Sequence, residues 1–303
     1  MASLDPDRLL DRRRLKRGVA IWRALAVVAL VALALVAAAP FAFDGGERVA
    51  RLWVTGLIED DPARDRIIAD LKGDDAVKAV VLRLDSAGGT AVGGEALYLS
   101  LRSLAAAKPV VAVLGTTATS AAYMAALAAD HVVAREATLT GSIGILFQTA
   151  EFTALLEEIG VRAEAIRSGP LKAKPTPYEE LDNPTRHAMR TVVTDIYESF
   201  LRLVMERRSL DRETALAVAD GRVFTGSQAV DAGLVDAIGG EEEARAWLAA
   251  VHGVSETIPA TDVVSGGGDG LLDVIDAALD STLPSRTLAL DGLIAVWHPQ
   301  ITD

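Results

Sequence analysis

Two hydrophobic periods alternate along the first half of the chain. Residues 48–58 alternate apolar and polar side chains, as strands do, whereas residues 62–73 and 93–107 repeat apolar side chains at helical spacing. Runs rich in β-branched residues predict further strands at 76–86, 109–114 and 131–134. Strands that alternate with helices favour a parallel sheet with right-handed crossovers. We therefore expect an α/β fold.

The second half is predicted to be more helical. The expected elements are helices at 152–160, 178–208 and 211–221, a strand at 161–169, a proline-containing loop at 172–177, and a strand, short helix, turn and helix over 222–248. The sequence SGGGDG (265–270) is typical of a flexible hinge. We divide this part of the chain into one domain over 48–254 and a hinge with a C-terminal tail over 265–303.

An uncharged stretch over residues 24–43 is long enough to cross the hydrocarbon core of a bilayer. Through Arg23 the chain carries seven Lys/Arg and three Asp/Glu, and Trp22 suits an interfacial anchor. The positive-inside rule then predicts a cytoplasmic segment 1–23 and a single transmembrane helix. It places the rest of the chain outside the cytoplasm, and we expect this membrane to be a bacterial inner membrane with the domain on its periplasmic side. A cleaved signal peptide is the alternative, although its apolar core is usually shorter.

Charge and composition exclude several classes of function. After Arg23 the chain has 23 Lys/Arg against 39 Asp/Glu, which argues against a nucleic-acid surface. The absence of cysteine excludes disulfides, thiolate metal sites and a cysteine nucleophile. Four scattered histidines do not suggest a metal site. We expect neither a metal nor a cofactor.

Ser120 is the first candidate for chemistry. It lies in TTATSAAYMAALAAD (116–130), after a predicted strand and at the start of a predicted helix. Serine is a common helix N-cap, so the residue is either a cap or a nucleophile. A nucleophile needs a base, and His131 is expected about 15 Å away, at the other end of that helix.

Lysine is the remaining candidate base. The chain has 24 arginines and six lysines, and two of the lysines, Lys172 and Lys174, lie in the proline-containing loop. Lysine can lose its proton when desolvated, whereas arginine cannot; a solvated surface lysine is the alternative. The loop DSAGGT (85–90) is either an oxyanion-binding turn or a simple strand-to-helix turn. Ser142 in LTGSIGI either orients a lysine or forms a tight turn.

Five motifs in order resemble the signal peptide peptidase A (protease IV) family of the Clp protease/crotonase superfamily. They are DSAGG, TSAAYMAALAADHVVA, TLTGSIGI, IRSGPLKAKPTP and DGRVFTGSQAVDAGLVDAIGG. The resemblance covers residues from about 50 to 250 and touches the tail. It implies a fold of repeated ββα units with parallel sheets, and a peptidase domain over 48–254.

Carried over residue by residue, the resemblance implies a serine–lysine dyad. Ser120 would be the nucleophile, Lys172 the general base and Ser142 the hydroxyl that orients the lysine. Lys174, two residues from the family position, would be a bystander.

Backbone N–H groups of Gly88 or Gly89 and of Ala121 would form the oxyanion hole. The chain departs from the family where Ala121 and Ala122 replace the usual glycines and Ala87 replaces the usual proline. Alanine still supplies a backbone N–H, so the resemblance implies a narrower pocket or an altered turn. It does not imply loss of catalysis.

The resemblance further implies a membrane-anchored endopeptidase that degrades cleaved signal peptides and other hydrophobic extended peptides through an acyl-enzyme. The dyad would be shared between subunits of a homo-oligomer, an octamer for a single-copy chain, with the apolar tail near a neighbour or an active site. The rival hypotheses are a Clp-like Ser/His/Asp peptidase, a crotonase-like acyl-CoA enzyme and an inactive membrane scaffold. LTGSIGI lacks the histidine that the first would need.

Overall fold

The structure is a computed structural model that describes residues 46–263, the backbone of 294–296, and the helical residues 22, 23 and 25–28. Most of the expected membrane anchor, the hinge and most of the tail lie outside the described residues. No helix within the described part of the chain is long and apolar enough to cross a membrane. Residues Met1–Gly46 and Glu47–Asp303 form separate units, and the second contains the fold.

Strands and helices alternate at the start of this second unit, as the hydrophobic pattern predicts. The strands are β1 Arg48–Ile58, β2 Val77–Thr90, β3 Val110–Thr119, β4 His131–Ala134, β5 Leu139–Gly141, β6 Val223–Thr225, β7 Ala237–Ile238, β8 Ala260–Val263 and β9 Ile294–Val296. The helices are α1 Pro62–Gly73, α2 Ala91–Ala105, α3 Ala121–Ala126, α4 Thr153–Glu158, α5 Asn183–Arg208, α6 Arg212–Val218, α7 Gly226–Asp231 and α8 Glu241–His252.

Side-chain caps fix where several helices begin. The Asp61 carboxylate accepts from two backbone N–H groups at the start of α1, and Pro62 occupies its first turn. The Thr90 hydroxyl caps α2 in the same way by accepting from Gly93. Because Thr90 is also the last residue of β2, the glycine loop passes directly from strand to helix.

The sheet is mostly parallel, which confirms the predicted α/β class. Its main path runs β6–β5–β3–β2–β1–β8. One edge of β3 is divided between two partners, since β4 pairs with its first half and β5 with its last three residues. The antiparallel pairs among the described strands are β5–β6 and β2–β9. The carboxyl ends of β1, β2, β3 and β5 therefore lie at one edge of the fold.

Both faces of the sheet are covered. Alternate residues of β1, β2 and β3 pack on one side against α1, α2, α3 and α5 in the larger core. The opposite face, which includes Val81 and Val113, packs against Leu248 and Trp247 of α8. A buried sheet of this kind needs β-branched and aliphatic runs, which the sequence supplies.

Several local predictions differ from the structure; β3, for example, extends to Thr119 instead of ending at residue 114. The strand predicted over 161–169 is wrong: these residues have no strand partner, and nearly all their side chains are exposed, Ile166 to 99%. Without a neighbouring strand, the β-like composition has no ladder to join. β2 extends through the glycine loop to Thr90, and α3 ends at Ala126 rather than near residue 130.

Candidate active site

Ser120 and Ser142 lie side by side at the carboxyl ends of neighbouring strands. Ser120 follows β3 and Ser142 follows β5, and the two strands pair in parallel up to Thr119 and Gly141. The Ser120 N–H donates to the Gly141 carbonyl at 2.8 Å, which continues this pairing by one residue. The structure therefore brings these two predicted site residues together.

Ser120 is buried, has a strained backbone and does not act as a helix cap. Its backbone lies at φ 56°, ψ −118°, a conformation that costs free energy in any residue except glycine. Although it occupies the N-cap position of α3, its side chain makes no capping hydrogen bond. Ser120 is 1% exposed, and its Oγ has no hydrogen-bond partner in the described part of the chain. Burial without a partner leaves this hydroxyl available to a reacting group.

The alanines after Ser120 pack into the core. Ala121 and Ala122 are fully buried, and a Cβ added at Gly94 of α2 would lie 2.9 Å from the Ala121 methyl group. Glycine at position 94 thus provides the space that the Ala121 methyl group needs. The methyl group of Ala121, where the family has glycine, therefore fits between α2 and α3.

The glycine loop approaches β1 closely. A Cβ on Gly89 would lie only 1.8 Å from the Ile58 carbonyl oxygen, so no side chain fits there. Gly88 has φ 116°, a conformation that favours glycine. Its N–H donates to the Ser86 Oγ at 3.0 Å, so this candidate oxyanion donor already has a partner within the loop.

Ser86 and Thr119, to which the sequence motifs gave no role, carry two further hydroxyl groups close to Ser120 and the glycine loop. Ser86 donates to the Gly56 carbonyl at 2.5 Å, and Thr119 donates to the Ala87 carbonyl at 3.0 Å. Both side chains are buried, at 3% and 0% exposure. The sequence offered one indication of their importance: Ser86 lies inside the DSAGG motif, and Thr119 directly precedes the candidate nucleophile.

The edge of the glycine loop that β3 leaves unpaired is occupied by the antiparallel strand β9. Beyond the last β2–β3 pair, Ser86 with Ala118, residues Gly88–Thr90 pair with β9. In that register Gly89 lies opposite Ala295. The backbone of this loop therefore forms a ladder with another segment of the same chain.

Ser142 follows a tight turn. It has φ 50° and 9% exposure, and its N–H donates to the Arg222 carbonyl at 2.8 Å. The preceding Gly141 has φ 81°, and a Cβ there would meet the Phe224 ring at 2.7 Å. LTGSIGI therefore forms the tight turn, and this turn holds Ser142 beside Ser120.

Lys172 is not brought to Ser120 within one chain. It is exposed, whereas the Ser120 Oγ is buried and has no partner in the described part of the chain. The neighbouring Lys174 is engaged elsewhere, since its Nζ lies 2.7 Å from Asp182 and 3.6 Å from Glu179. The hydrogen bond to Asp182 raises the pKa of Lys174, which keeps its amine protonated and therefore unable to accept a proton.

Two basic side chains whose pKa values are lowered, His131 and Lys108, lie far from Ser120. Burial lowers the pKa of His131, which stacks on Trp247 at 4.7 Å and is paired in register with Val111. Burial also lowers the pKa of Lys108, which donates to the Asp74 carbonyl. Both residues lie near the amino end of β3, whereas Ser120 follows its carboxyl end. Neither is placed to act as its base.

Comparison with known proteins adds family relationships to this geometry. Residues 102–255 match the model of peptidase family S49. A Synechocystis protein whose name describes a protease is 36% identical over 71% of this chain and 78% of its own length. The chloroplastic serine protease SPPA of Arabidopsis thaliana is 32% identical over 72% of this chain and 35% of its own length. The solved structure of a ClpP1 point mutant from Listeria monocytogenes aligns with a TM-score of 0.43 and 16% identity, covering 64% of this chain and 92% of that one. The chain belongs to peptidase family S49, which confirms the resemblance to signal peptide peptidase A that its five motifs indicated.

Proposed function

We propose that the protein is a serine endopeptidase in which Ser120 is the nucleophile and Lys172 the general base. The observation that carries the proposal is the Ser120 hydroxyl, which is buried, unpaired within the described residues and held on a backbone of positive φ in a chain of a peptidase family. Lysine is proposed as the base because the loop that carries Lys172 resembles the family's lysine motif, whereas His131 lies at the opposite end of β3 from Ser120.

The reaction proceeds through two acyl transfers. The Ser120 Oγ attacks the carbonyl carbon of the scissile peptide bond, and its proton passes to the neutral amine of Lys172. The oxyanion that forms accepts hydrogen bonds from the backbone N–H groups of the glycine loop and of Ala121. The protonated lysine then gives its proton to the leaving amine. Water, deprotonated by the same lysine, releases the second product from the acyl-enzyme.

The dyad is proposed to form between two copies of the chain. Within one chain Lys172 is exposed and is not paired with the Ser120 Oγ. A lysine serves as a general base where its surroundings favour the neutral amine, and contact with another subunit would provide such surroundings. The segment that carries Lys172 also exposes large apolar side chains, which suit an interface; they are Phe152, Leu155, Ile159, Ile166 and Leu171. Ser142, beside Ser120, would orient the incoming amine. An octamer is the assembly that the family resemblance implies.

Extended hydrophobic peptides, including cleaved signal peptides, are the proposed substrates. The edge of Gly88–Thr90 supports this choice because it pairs with the antiparallel strand β9. An extended substrate would bind in the place that β9 occupies. The uncharged stretch 24–43 and its basic flank support an anchor that places the peptidase domain outside the cytoplasm at the bacterial inner membrane. Resistance of the protein to carbonate extraction, with the domain accessible to added protease in spheroplasts, tests this placement.

Three single variants test the dyad. Ser120→Ala and Lys172→Ala are expected to lower turnover of a fluorogenic hydrophobic peptide by at least about 10³-fold, while the oligomer persists in sedimentation. Lys174→Ala is the matched control, because it removes a lysine two positions away that is held by Asp182, and it should retain turnover. Wild-type turnover in the Lys172→Ala variant would refute the base assignment.

Mixed assembly tests the shared site. Refolding the two inactive variants together should restore some activity, since some sites then combine an intact Ser120 with an intact Lys172. No recovery in oligomers shown to contain both variants would contradict a dyad shared between subunits.

A further inference from the structure

A single buried hydroxyl bridges two strands at the glycine loop. The Ser86 Oγ donates to the Gly56 carbonyl at 2.5 Å and accepts from the Gly88 N–H at 3.0 Å. A hydroxyl has one proton and two lone pairs, so it makes both bonds at once. Ser86 is 3% exposed, and water therefore has little access to replace either bond.

The strand ladders are irregular where Ser86 acts. The β1–β2 register shifts between Thr55 and Leu57, and the β2–β3 register shifts between Leu84 and Ser86. Regular ladder bonds are interrupted at such shifts, so they do not fix each peptide plane. Here the side-chain hydroxyls of Ser86 and Thr119 hold the backbone in place of the missing ladder bonds.

The peptide unit between Ala87 and Gly88 is held at both ends. Its N–H, which belongs to Gly88, donates to the Ser86 Oγ, and its carbonyl, which belongs to Ala87, accepts from the Thr119 hydroxyl at 3.0 Å. Rotation of this peptide plane would break both bonds. Because Thr119 directly precedes Ser120, its hydroxyl also links the glycine loop to the nucleophile.

We propose that Ser86 is a positioning residue for the oxyanion hole, assisted by Thr119. By holding the Ala87–Gly88 peptide, the two hydroxyls direct the next backbone N–H, that of Gly89, towards the oxyanion. Gly89 is then the donor from this loop, since the Gly88 N–H is already bound to Ser86. This inference rests on the proposed serine peptidase function.

Ser86→Ala and Thr119→Val test the inference, the second variant keeping nearly the shape of the side chain. A misplaced donor weakens binding of the transition state more than binding of the substrate. We expect kcat to fall by about 10- to 100-fold, less than for outright removal of an oxyanion donor, with KM within about twofold. The Ki of a peptide aldehyde, whose adduct carries the oxyanion, should rise by a similar factor. The Ki of the matching peptide alcohol, which forms no such adduct, should not change.

Thr138→Val is the matched control. Thr138 is also 3% exposed, and its hydroxyl likewise donates to a backbone carbonyl and accepts from a backbone N–H, at Gly115 and Arg135. It should lose comparable thermal stability and keep kcat and the aldehyde Ki. Rates are expressed per active site titrated with a fluorophosphonate, so a loss of folded protein does not imitate a loss of positioning.

The outcomes separate the inference from the function on which it rests. Full turnover in Ser120→Ala would reject the proposed function. If Ser120→Ala is inactive but Ser86→Ala and Thr119→Val keep wild-type kcat and aldehyde Ki, the positioning role is rejected alone. An equal rise in the Ki of the aldehyde and of the alcohol would also reject it, because a general distortion of the site weakens both. If Ser86→Ala does not fold, Thr119→Val decides.

Discussion

Replacing Gly89 by alanine should damage the active site through one steric contact. The added Cβ would lie 1.8 Å from the Ile58 carbonyl oxygen and 2.5 Å from its carbonyl carbon. Non-bonded heavy atoms prefer separations of about 3.5 Å, so β1 and the glycine loop must separate by more than about 1.5 Å. The obstacle is backbone, which has no alternative rotamer to adopt. The loop must therefore move away from its present position beside β1.

The displacement predicts both a kinetic and a thermodynamic effect. A misplacement of about 1 Å in a catalytic group lowers rates by about 10²-fold, so kcat/KM should fall at least that far. Overpacking of this kind costs about 1–3 kcal/mol of unfolding free energy. Peptide hydrolysis and urea unfolding measure the two. Gly73→Ala is the control, because no heavy atom lies within 4 Å of its added Cβ. Wild-type kcat/KM in Gly89→Ala, at unchanged stability, would refute the requirement for close approach.

Two further predictions concern the opposite end of the sheet. Asp236→Ala should lower the unfolding free energy by about 2–3 kcal/mol, because Arg208 loses a largely buried carboxylate partner at 2.7 Å. Urea titration measures this loss, and a value below about 0.5 kcal/mol would contradict the prediction. Burial lowers the pKa of folded His131 below the ordinary 6.5, so the unfolded chain binds more protons between these two pKa values. Stability should therefore fall as the pH drops from about 6.5 through the folded pKa, and His131→Gln should flatten this part of the stability profile. An unchanged profile in that variant would show that other groups cause the pH dependence.

The spacing of hydrophobic residues was enough to predict the order of strands and helices from β1 to β4. The predicted bounds of β1, α1 and β4 match the structure, since each has a clear period or a β-branched run and a cap or turn residue at its boundary. The prediction over 161–169 was wrong because local composition does not reveal whether a partner strand is available. β8, at the edge of the sheet beside β1, was missed for a related reason: its four residues, two half-buried and two exposed, carry little periodic signal.

The site was predictable as a set of residues but not as a geometry. The motifs singled out Ser120 and Ser142, and the register of β3 with β5 places them together. The residue pattern offered no means to distinguish a capping serine from an unpaired one, because that depends on where the Ser120 Oγ points. The same limit applies to Ser86, whose two hydrogen bonds join residues 30 positions apart and two positions apart.

The position of Lys172 shows that a single chain does not complete the proposed dyad. Its loop was recognised from a motif, yet the fold leaves it exposed and does not pair it with the buried Ser120. Lys174 is held by Asp182 and Glu179, which accounts physically for its exclusion as a base. The missing contact is the reason that the proposed dyad needs a second copy of the chain.

Active-site labelling tests the Ser120–Lys172 dyad most directly. The full-length protein is treated with a fluorophosphonate, digested and analysed by mass spectrometry, beside the Lys172→Ala and Lys174→Ala variants. The account predicts a single adduct on Ser120 in the wild type and in Lys174→Ala, and strongly reduced labelling in Lys172→Ala. An adduct on another serine, or equal labelling of Ser120 in Lys172→Ala, would contradict it.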